Sequence, residues 1–230
     1  MPKKLHINCD LGEWEADTHT AALMQHIHLA NIACGGHAGS AETITRCAKL
    51  AAEHGVLTGA HPGVSGNRGR VLPDGFTTDD FIDLLESQIN LYLSTGTPLN
   101  HIKLHGALYH LSETDHSIRG AFLNFAKKRS TPIIALAGGT VAIAADALNI
   151  PVLHEAFLDR NYLPDGNLVP RTEPNAQLTD LPEIKKRILE YHQEKSPIAP
   201  DTLCIHSDSP TCLTIAETAR DTLDQLGHSH

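Results

Sequence analysis

The chain is poor in large rings. One tryptophan, four tyrosines and five phenylalanines make up 4% of its 230 residues, and there are only two methionines. Its core must therefore come from aliphatic side chains. No run approaches the ~20 apolar residues of a membrane span, and Met1 to Cys9 lacks the apolar centre of a secretion signal. Basic blocks are missing apart from Lys127-Lys128-Arg129 and Lys185-Lys186-Arg187, both inside helical patterns. With a formal charge of −9, neither nucleic acid nor an anionic membrane is an expected partner. No CxxC pair occurs among the five cysteines, so free thiols in a reducing cytoplasm are expected. A GxxxxGK[ST] phosphate loop and a GxSxG nucleophile elbow are also lacking, which removes the usual P-loop and serine-hydrolase readings.

What the chain has in abundance is histidine, 16 in all. The informative ones follow short apolar runs. Seven such runs read as strands: Leu5 to Cys9, Leu29 to Cys34, Val56 to Ala60, Ile102 to Tyr109, Pro132 to Leu136, Pro151 to Glu155 and Thr202 to His206. Helical patterns separate them, with Ser40 as a cap, Gly55 as a stop and a helix starting at the Thr77-Thr78-Asp79-Asp80 run. The segment Ile102 to Tyr109 is the most unusual. Read as a strand, it directs Lys103 and His105 to one face and Ile102 and Leu104 to the other. Strict alternation of strand and helix over residues 1–230, with no composition break, implies one α/β domain with a parallel sheet.

Six strands deliver ionisable groups at their C-terminal ends: Asp10 and Glu13, His37, His61, Lys103 and His105, Glu155 and Asp159, and His206 with Asp208. A (β/α)7 TIM-like barrel gathers these ends at one mouth, whereas an open sheet spreads them along an edge, so the barrel is expected. Carboxylates, imidazoles, a lysine and Arg160 and Arg171 at one mouth suit acid–base work on a small anionic molecule. The arginines can hold a substrate carboxylate, and Lys103, with its pKa lowered by nearby cations, can steady an oxyanion. Lys103 and His105 can instead form a buried network reaching Glu155. A divalent metal is the other option, with Asp10, His37 and His61 as its ligands.

Six blocks then carry a resemblance: Asn8-Cys9-Asp10-Leu11-Gly12-Glu13; Ala30 to Gly35 with His37-Ala38-Gly39; Gly59-Ala60-His61-Pro62-Gly63; Lys103 with His105-Gly106-Ala107-Leu108-Tyr109; Glu155-Ala156-Phe157 with Asp159-Arg160; and Leu168-Val169-Pro170-Arg171. In order and over nearly the whole chain, they resemble the LamB/YcsF family, that of the 5-oxoprolinase A-subunit. The resemblance implies a seven-stranded barrel of the glycoside hydrolase/deacetylase type. It also implies ATP-dependent opening of 5-oxoproline to L-glutamate together with two partner subunits. The ATP site is then not expected within this chain alone, and self-association stays open. Asp10, Glu13, His61, Lys103, His105 and Glu155 become the expected catalytic set. Asn31, His37, Asp159, Arg160, Arg171, His206 and Asp208 become the expected substrate contacts. The family usually has aspartate where this chain has Ser40, and proline where it has Leu104. It has a GFGRR run where this chain reads Val64-Ser65-Gly66-Asn67-Arg68-Gly69-Arg70. A metal-dependent amidohydrolase and a non-catalytic binding subunit on the same barrel are the alternatives.

Overall fold

A computed structural model describes residues 4–163 and 166–227; the terminal His228-Ser229-His230 lies outside the described residues. Six parallel strands form one curled sheet: β1 (His6–Leu11), β2 (Leu29–Ala33), β3 (Leu57–His61), β4 (Ile133–Leu136), β5 (Val152–Phe157) and β6 (Thr202–His206). Their spatial order is β3-β2-β1-β6-β5-β4. Each agrees with an expected run to within two residues at its start and two at its end.

The seventh strand is where the expectation needs correcting. Among the described residues, Ile102 alone pairs there, bridging Ala60 on one edge of the sheet and Ile133 on the other. It thereby joins the two edges of the half-barrel. The chemistry of residue 62 explains why the ladder goes no further. The Lys103 N–H donates to the Ala60 carbonyl and the His105 N–H to the Pro62 carbonyl, but Pro62 has no N–H to return. The Lys103 carbonyl accepts instead from His61 Nδ1 at 2.8 Å. Gly106, at φ +49, then turns the chain directly into a helix. Residues 106 to 109 are thus helical.

The helices are α1 (Asp17–Met24), α2 (Ala41–His54), α3 (Thr78–Ser94), α4 (Gly106–Thr114), α5 (His116–Arg129), α6 (Thr140–Ala147), α7 (Leu181–His192) and α8 (Cys212–Gln225). Their ends follow local chemistry. Ser40 Oγ accepts from the Thr43 N–H at the start of α2, and Gly55 in the left-handed region ends it. Serine and aspartate are comparably good N-caps, so the departure expected at residue 40 keeps the cap. Thr77 and Asp80 form a reciprocal capping box on α3, and Asp115 accepts from Ser117 and Ile118 at the start of α5.

Alternation along β1 separates two environments. Ile7, Cys9 and Leu11 belong to the buried apolar cluster, where full burial of such a side chain is worth about 1.5–3 kcal/mol. Asn8 and Asp10 enter a polar interior. There Asn8 Nδ2 donates to Thr202 Oγ1 at 2.9 Å, and Asn31 Nδ2 to Asn8 Oδ1 and Asp10 Oδ1 at 2.8 Å each. His101 Nε2 lies 2.7 Å from Asn31 Oδ1. Burial pushes the His101 imidazole down to about 3, so it stays neutral. Gly59 is required beneath it, because a Cβ there would run into the His101 ring. All five cysteines are buried and free, in keeping with the expected thiols. No helix among the described residues is long and apolar enough to cross a membrane.

Candidate active site

The C-terminal ends of the strands surround a cavity of about 340 Å³. Asp10, Glu13, His61, Lys103, His105, Arg160, Arg171, His206 and Asp208 line it, with Phe157, Leu104 and Ala107 as apolar wall. The expected mouth is therefore real. Four residues expected there are not on its lining: Asn31, His37, Asp159 and Glu155. Each is one step behind it.

Lys103 forms the floor. Its Nζ donates to Asp10 Oδ1 at 2.9 Å, Asn8 Oδ1 at 3.2 Å and Cys204 Sγ at 3.0 Å. These use all three ammonium hydrogens, so Glu155 Oε1 at 2.8 Å contributes charge without an aligned hydrogen bond. Burial opposes the ammonium, but Asp10 and its neighbours outweigh burial and hold the pKa well above the usual lysine range. The expected lowering of Lys103 does not occur, because carboxylates rather than cations surround it. Glu155 is wholly buried and also accepts from the Tyr109 hydroxyl at 3.1 Å. It holds Lys103 and Tyr109 from behind the cavity lining. Asn31 likewise holds Asp10 from behind the lining. Burial works against the Asp10 carboxylate, yet His61 and Lys103 keep its pKa well below the usual range.

His206 reaches the cavity with its ring held from behind by a carboxylate. Its Nδ1 lies 2.9 Å from Asp159 Oδ2, which also accepts from the His206 backbone N–H at 2.9 Å. A carboxylate only accepts, so Nδ1 carries the hydrogen, and in the neutral ring the lone pair is on Nε2. Nε2 lies 4.0 Å from Asp10 Oδ2. The ring is stacked on Phe157, with planes 9° apart. Burial raises the Asp159 pKa, but the His206 contacts more than reverse this and leave it lowered. Asp159 thus orients the His206 ring from behind the cavity lining.

The opposite wall carries arginines. Arg171 Nη1 lies 3.7 Å from Asp208 Oδ2, and Arg70 Nη2 lies 2.7 Å from the same oxygen. Arg70 was not among the expected site residues; its signal is only its place in a polar loop, which no periodicity marks. Arg160 is not a free clamp. Its Nη2 donates to the Val169 carbonyl at 2.6 Å and its Nε to the Ala176 carbonyl at 3.2 Å, strapping the loop that presents Arg171.

On the third wall, Glu13 Oε1 lies 2.9 Å from His37 Nε2, 3.2 Å from His105 Nδ1 and 3.8 Å from His61 Nε2. The His37 and His105 rings stack at 3.6 Å. Burial disfavours the Glu13 carboxylate, but hydrogen bonds from His105 and His37 hold its pKa far below the usual range. Burial pushes His37 down to about 4. One potential ligand atom from each of these four residues lies within 4.8 Å of the others, as also occurs for Asp10, Cys204 and His206. The expected metal set of Asp10, His37 and His61 is therefore not the grouping that forms. Asp10 keeps Oδ1 on Lys103 and Asn31 and Oδ2 3.3 Å from His61 Nε2, while Glu13 and His105 are the groups that converge with both His37 and His61. The loop whose sequence departs from the family's closes this wall. The Arg68 carbonyl lies 2.9 Å from His105 Nε2, and a Cβ at Gly69 would strike His37 and His105. Leu104 replaces proline where, among the described residues, no backbone acceptor engages its N–H, so no bond depends on that difference.

Comparison with known proteins agrees with the sequence resemblance. The 5-oxoprolinase A-subunit of Bordetella parapertussis is 33% identical over 249 aligned positions, covering 99% of this chain and 98% of its own. That of Rhodopseudomonas palustris is 35% identical over 246, covering 97% and 96%. The lactam utilization protein from Thermus thermophilus superposes with a TM-score of 0.85 at 31% identity, covering 97% of each chain. A β-1,4-mannanase shares the fold alone, at 9% identity and a TM-score of 0.58. The LamB/YcsF family model matches residues 5–230, and the chain belongs to the LamB/YcsF family.

Proposed function

We propose that this chain is the lactam-binding and hydrolytic subunit of an ATP-dependent 5-oxoprolinase, working with two partner subunits in a reducing cytoplasm. The names of its relatives motivate the substrate. The observation that carries the reading is a small cavity with an arginine pair on one wall and a carboxylate-oriented histidine on another. The carboxylate of 5-oxoproline fits Arg70 and Arg171, which already share the Asp208 carboxylate. The ring lies along Leu104 and Phe157, and the Lys103 ammonium at the floor favours negative charge developing on the amide oxygen.

His206 Nε2 takes a proton from water as the water oxygen bonds to the lactam carbonyl carbon. The C–N bond then breaks and the ring nitrogen receives that proton, leaving L-glutamate. Asp159 stabilises the intervening imidazolium. An unstrained amide needs activation, which this reading assigns to ATP delivered with the partners.

The test is glutamate release from 5-oxoproline. The chain alone should release none, and the chain with ATP and both partners should release it continuously. A reconstituted complex that hydrolyses ATP without opening the lactam would contradict the reading.

A further inference from the structure

Glu13, His37, His61 and His105 are left over by the lactam chemistry, yet their polar atoms converge. Two of the three imidazoles have fixed tautomers. His61 Nδ1 faces the Lys103 carbonyl at 2.8 Å and His105 Nε2 faces the Arg68 carbonyl at 2.9 Å. Carbonyls only accept, so both outward nitrogens carry hydrogen. In neutral rings the inward atoms, His61 Nε2 and His105 Nδ1, would meet lone pair to lone pair at 2.9 Å, with Glu13 Oε1 3.2 Å from His105 Nδ1 and Asp10 Oδ2 3.3 Å from His61 Nε2. Such a contact calls for a cation between them, a shared proton or a metal ion, and the convergence of Glu13 Oε1 and His37 Nε2 on the same point favours the metal.

The geometry points to a divalent-metal site of the zinc class, held by Glu13 Oε1, His37 Nε2, His61 Nε2 and His105 Nδ1. Four ligands at 2.0–2.1 Å in a tetrahedron stand about 3.3–3.4 Å apart. Four of the separations here are 2.9, 2.9, 3.2 and 3.8 Å, already near that spacing. Backbone carbonyls behind two of the imidazoles are the outer contacts that orient histidine toward a metal. His37 Nδ1 is buried without a partner, whereas its Nε2 is the atom presented to the cluster.

The loop through Asn67 and Arg68 is bent to serve this wall. Both residues adopt positive φ, 40° and 52°, a conformation that ordinary side chains resist. The bend aims the Arg68 carbonyl at His105, and the Arg68 guanidinium stacks on Trp14 at 4.1 Å. The rewritten loop is thus a tautomer lock for one ligand. This inference is independent of the lactam reading.

The test uses the full chain, stripped with chelator and then titrated with zinc chloride or cobalt(II) chloride. Bound metal is counted after gel filtration. Cobalt absorption reports tetrahedral geometry, and fluorescence of Trp14, the only tryptophan, reports binding from 6.1 Å away from the His37 ring. One zinc per chain and a tetrahedral cobalt spectrum are expected. Glu13→Gln and His37→Asn should each weaken binding more than the roughly 10–100-fold that loss of an outer contact costs. His154→Gln, outside the cluster in a pair with Asp146, should leave one metal per chain. Circular dichroism shows whether each variant folds. A folded wild-type chain that retains no metal, or a folded Glu13→Gln/His37→Asn chain that retains it unchanged, overturns the site. Metal binding without lactam cleavage would sink the proposed function alone; cleavage by a folded, metal-free complex alongside absent binding would sink the metal site alone.

Discussion

Replacing Lys103 by methionine should destabilise the protein severely. The side chains are similar in size, so the substitution isolates the charge. In the native chain one ammonium faces Asp10 at 2.9 Å and Glu155 at 2.8 Å, and all three residues are at least 95% buried. Without it two carboxylates remain in a cavity floor that water barely reaches. Breaking a buried pair from one side costs about 3–5 kcal/mol. For a chain of this size that lowers Tm by about 6–20 °C, at roughly 2–4 °C per kcal/mol. Glu155→Gln should cost less, about 1–2 kcal/mol, because Lys103 keeps Asp10 and the Tyr109 hydroxyl keeps an acceptor. Adding Glu155→Gln to Lys103→Met should recover part of the loss, since one stranded charge disappears. Urea unfolding of all four proteins in chelator, with unchanged m-values, measures the cycle. A Lys103→Met protein within about 1 kcal/mol of wild type would refute the reasoning.

Other outcomes follow from the same contacts. Arg70→Gln and Arg171→Gln should each raise the KM for 5-oxoproline about 10–150-fold, from losing a charged hydrogen bond of about 1.5–3 kcal/mol, with kcat changing less; steady-state kinetics separates the two. Asp159 has a lowered pKa in the folded chain, so its stabilisation is full above the unfolded value near 4 and fades as pH falls through the lower folded value. Asp159→Asn should therefore cost about 1–3 kcal/mol at pH 7, and denaturation curves should converge with wild type as the pH drops below about 4. Gly59→Ala places a methyl group against the His101 ring. It should lose about 1–3 kcal/mol by overpacking, readable as a lower urea midpoint.

Much of this molecule is legible in its sequence because its strands are short apolar runs ending in ionisable residues. The alternation in β1 announces which face Asn8 and Asp10 share, and Ser40 and Gly55 mark both ends of α2. The segment after Asn100 misleads for a physical reason: Lys103 and His105 do alternate as in a strand, but Pro62 on the segment beside it cannot sustain the ladder. No local pattern in residues 102 to 109 contains that information. The site divides similarly. Residues that reach the cavity from strand ends, such as Asp10, His61 and His206, are visible as apolar runs with polar ends. Whether such a residue touches substrate or holds a neighbour depends on partners distant in sequence, as with Asp159 and His206 or Glu155 and Lys103. Arg70 shows the converse. It lies in a loop without period, and its pairing with Asp208 spans 138 residues.

The proton-transfer role of His206 bears most directly on the account. Glutamate release by the reconstituted complex carrying His206→Gln, with folding checked by circular dichroism, measures it. Loss of a general base predicts a kcat lower by about 10²–10⁴, with 5-oxoproline still bound through Arg70 and Arg171. A folded His206→Gln complex that releases glutamate at the wild-type rate would contradict the account.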